Sequence, residues 1–168
     1  MSQLSHSLDS SLLVRDVAGD YRPANADEVL QAARHVLAEQ MRDCEALTSP
    51  QVVRDFLRVK LGALEHEVFA VIHLDAQNRV IEYVDMFRGT VSQTSVYPRE
   101  VVKEALARNS AALLLVHNHP SGAAEPSRAD EMLTQTLKSA LALVDVRVLD
   151  HLIVAGSSIM SFAERGLL

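Results

Sequence analysis

The stretch that most constrains this 168-residue chain is residues 111–130, AALLLVHNHPSGAAEPSRAD. It opens with an unbroken apolar run, Ala111 to Val116, of a length suited to a strand buried on both faces. The run leads into His117-Asn118-His119 and then a loop rich in Pro, Ser and Gly, from Pro120 to Pro126. Ser127 is a good helix N-cap, and Asp130 falls three residues later in the first helical turn.

Read as chemistry, three metal-binding side chains converge at one strand-loop-helix junction. Positions i and i+2 of an extended segment point to the same side, so His117 and His119 can share one metal. The loop returns Asp130 as a carboxylate ligand. Two imidazoles and a carboxylate suit zinc, and three protein ligands leave a fourth position for water, as in catalytic zinc sites. The plainer account is that two histidines cap a strand end and that Ser127-x-x-Asp130 is a capping box on the helix dipole. Taken singly, each piece favours that account; the turn, the spacing and the caps together favour the metal.

His117-x-His119-Pro120 followed by Ser127-x-x-Asp130 resembles the zinc motif of the JAMM (MPN/JAB) metalloprotease superfamily. The strings HNHPSG and EPSRAD, with LDH at 149–151 and SFAERG at 161–166, resemble its RadC branch. The resemblance covers about residues 48–168 and implies an MPN/JAB (cytidine-deaminase-like) fold and a Zn2+ cofactor. It implies a glutamate base upstream of the histidine pair. Glu65 and Glu67 are the candidates, and Glu67 is favoured because the RadC branch places this glutamate two residues before a phenylalanine, as in Glu67-Val68-Phe69. It also implies that Ser127 supports the oxyanion, beside its role as helix cap.

Composition narrows the rest. Hydrophobic residues make up 48% of the chain and charged residues 23%, as in a globular domain, and no apolar run reaches membrane-spanning length. The N-terminus MSQLSHSLDS lacks a signal-peptide layout, and the single cysteine, Cys44, excludes an intrachain disulfide or thiolate cluster; both point to the cytoplasm. With no histidine near it in sequence, Cys44 is not read as a nucleophile. A net charge of −6 argues against wholesale nucleic-acid coating. Arg54, Arg58 and Lys60 are interrupted by Asp55 and read as a solvated helix face.

Along the chain, residues 1–10 are expected to be disordered, 11–16 a short strand, and Asn25-x-x-Glu28 a capping box opening a helix to about Arg42, with Val29, Ala33, Val36, Leu37 and Met41 on one face. Ser49-Pro50 opens a second helix, ended by Gly62. Runs at 67–75 and 79–87 flank a turn at 75–78 and read as a β-hairpin, followed by a short edge strand at 94–96. Pro98 starts a helix to Arg108 that buries Val101, Val102, Ala105 and Leu106. After the 111–117 strand comes a helix from Ser127 to about Leu143, burying Met132, Leu133, Leu137, Ala140 and Leu141. A strand at 146–156 and a last strand over IMSFAE complete the chain. The expected class is α/β (α+β), a mixed sheet sandwiched by helices, with residues 1–47 as an extension to a metal domain at 48–168.

Neighbours on a strand point to opposite faces, so Asp150 and His151 are not expected to pair, and His151 reads as a supporting or structural histidine. His66 and His73 read as structural and His35 as exposed. The expected activity is zinc-dependent hydrolysis of an amide bond in a peptide or protein conjugate. Two rivals stand beside it. One is a zinc nuclease or DNA-repair factor, although residues 1–48 are too short for the helix-hairpin-helix region of fuller RadC proteins. The other is a non-catalytic partner-binding module, whose exposed hairpin edge could also seat a second copy as a homodimer.

Overall fold

The computed structural model describes residues 12–43, 50–89 and 95–168. A small hairpin, β1 (Leu13–Arg15) with β2 (Tyr21–Pro23), precedes α1 (Ala26–Asp43) and α2 (Pro50–Leu61). Then follow β3 (Val68–Leu74), β4 (Val80–Arg88), α3 (Pro98–Ala107), β5 (Ala112–Asn118), α4 (Arg128–Ala142), β6 (Arg147–Ala155) and β7 (Ser158–Ser161). The last five strands form one mixed sheet in the order β4-β3-β5-β6-β7, in which only β5 and β6 run parallel, joined by the α4 crossover. This is the helix-covered mixed sheet expected of the sequence.

Strand parity divides the core. Val68, Ala70, Ile72 and Leu74 of β3, with Ala112, Leu114 and Val116 of β5, pack under Met41, Val53, Phe56, Leu57 and Leu61 of α1 and α2. Phe69 and Val71, with Leu113 and Leu115, face Val101 and Ala105 of α3 and Leu137 and Leu141 of α4. Every residue of β3 and β5 is buried, which explains why neither strand alternates in sequence. The capping box of α1 is present: Glu28 N–H donates to Asn25 Oδ1 and Asn25 N–H to Glu28 Oε2, each at 2.9 Å. Gly62 ends α2 where a Cβ would lie 2.5 Å from the carbonyl oxygen of Gly156, so only glycine fits there.

Several sequence expectations are corrected. Leu106 and Met132 are exposed by 55% and 71%. Each lies off its helix's inward stripe, which in α4 runs through Leu133, Thr134, Leu137 and Leu141. Val102 and Ala140 lie at the rim, only partly buried. The last strand stops at Ser161, where Asp150 and a turn take over the backbone groups. Residues 95–96 form no strand, and position 94 lies outside the described residues, as do residues 1–10, Ser49 and Cys44. Tyr21–Pro23, for which the sequence reading assigns no strand, pairs with β1.

Candidate metal centre

The end of β5 carries the site, and parity explains why. His117 follows Leu113 and Leu115 on the α4 side of the sheet and is 7% exposed. The ladder continues past the strand: His119 N–H donates to Val154 O at 2.8 Å, which keeps His119 in register beside His117. The chain then reverses at Pro120-Ser121-Gly122, where Gly122 adopts φ +79° and its N–H donates to His119 O at 3.0 Å. The reversal brings the Ala123 carbonyl to 2.7 Å from His119 Nδ1. A carbonyl only accepts, so Nδ1 carries the proton and neutral His119 presents Nε2 as a lone pair.

Asp130 comes from the first turn of α4. Ser127 caps that helix, with its Oγ accepting from Asp130 N–H at 3.1 Å and donating to Asp130 Oδ2 at 2.7 Å. Asp130 Oδ2 also accepts from Ser127 N–H at 2.7 Å, closing the box. The cap therefore leaves the second carboxylate oxygen available to a metal. Oδ2 serves the cap, while Oδ1 stands 3.3 Å from His117 Nε2.

His117 Nε2 and His119 Nε2 are 2.8 Å apart, and His119 Nε2 is 3.6 Å from Asp130 Oδ2. One ligand atom from each of the three residues lies within 4.8 Å of the others. Donors around a tetrahedral zinc with bonds of about 2.0–2.1 Å stand roughly 3.3 Å apart, so these separations fit such an ion. Two imidazole nitrogens and an anion aimed at one point need a cation or protons between them. The titration follows the same logic. Asp130 raises the proton affinity of His119, against the effect of burial, with smaller contributions from the Ala123 carbonyl and Glu67. Burial pushes the Asp130 carboxyl up, but His117, His119 and Ser127 outweigh it and hold it well below the usual range.

Glu67 sits just before β3, half-buried. Gly89 N–H donates to its carbonyl at 2.8 Å, extending the pairing with β4. Because Phe69 lies opposite His117, parity puts Glu67 on the histidine side, close enough to act on the charge of His119. Asn118 fixes this segment from inside: its Oδ1 accepts from Val68 N–H at 2.8 Å, and its Nδ2 donates to His66 O at 3.0 Å. Glu65 is exposed in the bend before the strand.

Two supporting residues need more than sequence reasoning. His151 is fully buried with Nε2 2.9 Å from His117 Nδ1, and its Nδ1 is 2.6 Å from the hydroxyl of Thr134. Simple alternation from Val148 would turn His151 away from α4. A bulge at Leu149 reverses the parity, since Val148 lies opposite Leu113 while Asp150 lies opposite Leu114. As expected, the Asp150 carboxylate does not meet the His151 ring. It accepts instead from His151 N–H, the Ser161 hydroxyl and Ala163 N–H at 2.6–2.9 Å. Phe162 stacks on the His151 ring at 4.8 Å. Burial, then the nearby His117, pushes His151 far toward the neutral form. The LDH and SFAERG segments thus support the site from behind. Thr134 was signalled only by its place one turn after Asp130.

The three cations of α2 are each paired with a carboxylate. Arg54 pairs with Glu164 at 2.5 Å, Arg58 with Asp55 at 2.6 Å and Lys60 with Asp85 at 3.4 Å. Among the described residues, no helix is long and apolar enough to cross a membrane.

Residues 47–167 match the family model described as the RadC-like JAB domain. A UPF0758 protein of Leptothrix cholodnii is 61% identical over 150 residues, which is 89% of this chain and 68% of that protein. One from Aromatoleum aromaticum is 64% identical over 146 residues, 86% of this chain and 65% of its own length. One from Methylibium petroleiphilum is 56% identical over 167 residues, covering 95% and 75% respectively. The chain therefore spans about two-thirds to three-quarters of the length of these relatives. With the mixed sheet and the His117–His119–Asp130 cluster in place, the chain belongs to the RadC-like JAB domain family.

Proposed function

We propose that this chain is a zinc-dependent hydrolase of amide bonds, acting on a peptide or a protein conjugate, with His117, His119 and Asp130 holding the metal. The observation that carries this reading is the convergence of three donor atoms within 4.8 Å of one another, with Glu67 on the same side of the sheet as His117. When bound, zinc supplies a Lewis acid for the substrate carbonyl and eases the ionisation of water. Glu67 takes a proton from the attacking water and delivers it to the leaving nitrogen as the C–N bond breaks. Ser127 turns its hydroxyl from Asp130 to the developing oxyanion. Asn118 keeps Glu67 at the mouth of the site by pinning the backbone on both sides of it.

The rival nucleic-acid reading is weakened by the pairing of Arg54, Arg58 and Lys60 with carboxylates. The proposal is tested by metal analysis of the purified protein, then by comparing cleavage products in cells carrying wild type or Glu67→Gln. The expected result is about one zinc per chain and products that vanish in the variant. A protein without zinc, or products indifferent to Glu67, would overturn it.

A further inference from the structure

The interior behind the metal centre holds one unbroken hydrogen-bond chain, and its direction can be read from its far end. The Thr134 hydroxyl lies 2.6 Å from the backbone carbonyl of Asp130, which can only accept, so its single proton is committed there. Toward His151 Nδ1, also 2.6 Å away, the same oxygen can then only accept. His151 Nδ1 therefore carries a proton. The His151 ring is fully buried, with Phe162 stacked on it and Phe69 edge-on. A neutral ring in that setting has a bare Nε2, which accepts from His117 Nδ1–H at 2.9 Å. His117 Nε2 is left as the lone pair, 2.8 Å from His119 Nε2 and 3.3 Å from Asp130 Oδ1.

The geometry points to Thr134 and His151 as positioning residues that commit His117 to its Nδ1–H tautomer and hold Nε2 toward a divalent cation. This rests on the metal-centre reading of His117, His119 and Asp130 given above. The same helix supplies both ends of the device: Asp130 contributes the ligand side chain, and its own carbonyl sets the hydroxyl of Thr134 one turn on. His119 reaches the same tautomer by another route, through the Ala123 carbonyl of the loop. The two imidazoles are thereby fixed independently, one by the core and one by the turn. Outer partners of metal-bound imidazoles commonly contribute roughly 10- to 100-fold in metal affinity.

The test begins with the wild-type chain and needs no variant. Nitrogen-15 NMR of the imidazoles in metal-free protein, at a pH where they are neutral, should show His117 protonated at Nδ1 and bare at Nε2. A proton on Nε2, or an averaged mixture of tautomers, would overturn the assignment. Zinc affinity is then measured by competition with a chromophoric chelator. Thr134→Val keeps the shape of the side chain and should lose roughly 10- to 100-fold in zinc affinity, with a mixed His117 tautomer. Thr134→Ser should restore both readouts. Wild type that binds no zinc would remove the metal-centre reading and this proposal with it. Zinc-binding wild type and an equally tight Thr134→Val would overturn the positioning role alone. Should Thr134→Val not fold, the wild-type tautomer and the affinity of Thr134→Ser still decide the matter.

Discussion

The side chain of Asn118 holds the backbone of Val68: its Oδ1 accepts the Val68 N–H at 2.8 Å while its Nδ2 donates to the carbonyl of His66 at 3.0 Å. Asn118 is 1% exposed, so it reaches across from β5 within the core and fixes the residues on either side of Glu67. Asn118→Ala leaves a donor and an acceptor without that partner and should cost about 1–3 kcal/mol of stability. Zinc content should hold, because Asn118 points away from the ligands, while hydrolysis falls as Glu67 loses its footing. Denaturation and metal analysis of the variant check both parts; loss of zinc would show that Asn118 supports the ligands themselves.

Glu67→Gln keeps size and hydrogen-bonding reach but cannot take up a proton. Hydrolysis should fall by roughly two to four orders of magnitude, the usual contribution of a general base, with zinc content near wild type. Glu65→Gln, in the exposed bend, should change little. If Glu67→Gln loses the metal, Glu67 is a ligand and not a base.

Ser127 serves as helix cap and, in the proposal, as oxyanion donor. Glycine at an N-cap costs only a few tenths of a kcal/mol, whereas alanine costs about 0.5–2 kcal/mol. Ser127→Gly should therefore leave the melting temperature nearly unchanged while lowering kcat, and Ser127→Ala should lower both. A Ser127→Gly enzyme of full activity would reduce Ser127 to a cap.

His73 lies fully buried at the far end of β3, with Nδ1 2.8 Å from the Ser110 hydroxyl and Nε2 unpartnered among the described residues. Burial, aided by Arg108 and opposed by Glu104 and Glu82, pushes its pKa down to about 4. In the unfolded chain it titrates near its ordinary 6.5, so between about 4 and 6.5 the unfolded state binds more protons. Stability is thus complete above about pH 6.5 and falls as the pH drops toward 4, by at most about 3 kcal/mol. His73→Leu should flatten that part of the profile in denaturation measured pH by pH. Identical slopes for the two proteins would count against it.

Much of the site was legible because its residues are close in sequence. The separation from His117 to Asp130 includes one strand end, one turn and one helix start, each with its own local signal, and those signals agree. The two readings of Ser127 and Asp130, cap and ligand, proved compatible because a carboxylate has two oxygens, one for the helix and one for His117. Local pattern does not separate buried helix faces from their surroundings, which is why Leu106 and Met132, apolar and near the inward stripes, read as buried and are exposed in the fold.

The sequence by itself determined the main succession of strands and helices, the grouping of His117, His119 and Asp130 at one strand-loop-helix junction, and the shared side of the two histidines. Those follow from local chemistry: apolar runs, a glycine turn and a helix cap. The supporting shell was decided by the tertiary structure. Nothing local announces the bulge at Leu149, since it depends on the pairing of β6 with β5 and on Asp150 being held by Ser161 and Ala163. One extra residue there turns His151 over to meet His117 and Thr134, residues 34 and 17 positions away in the chain. Parity propagates along a strand from its partners, so only the assembled sheet fixes which face His151 takes.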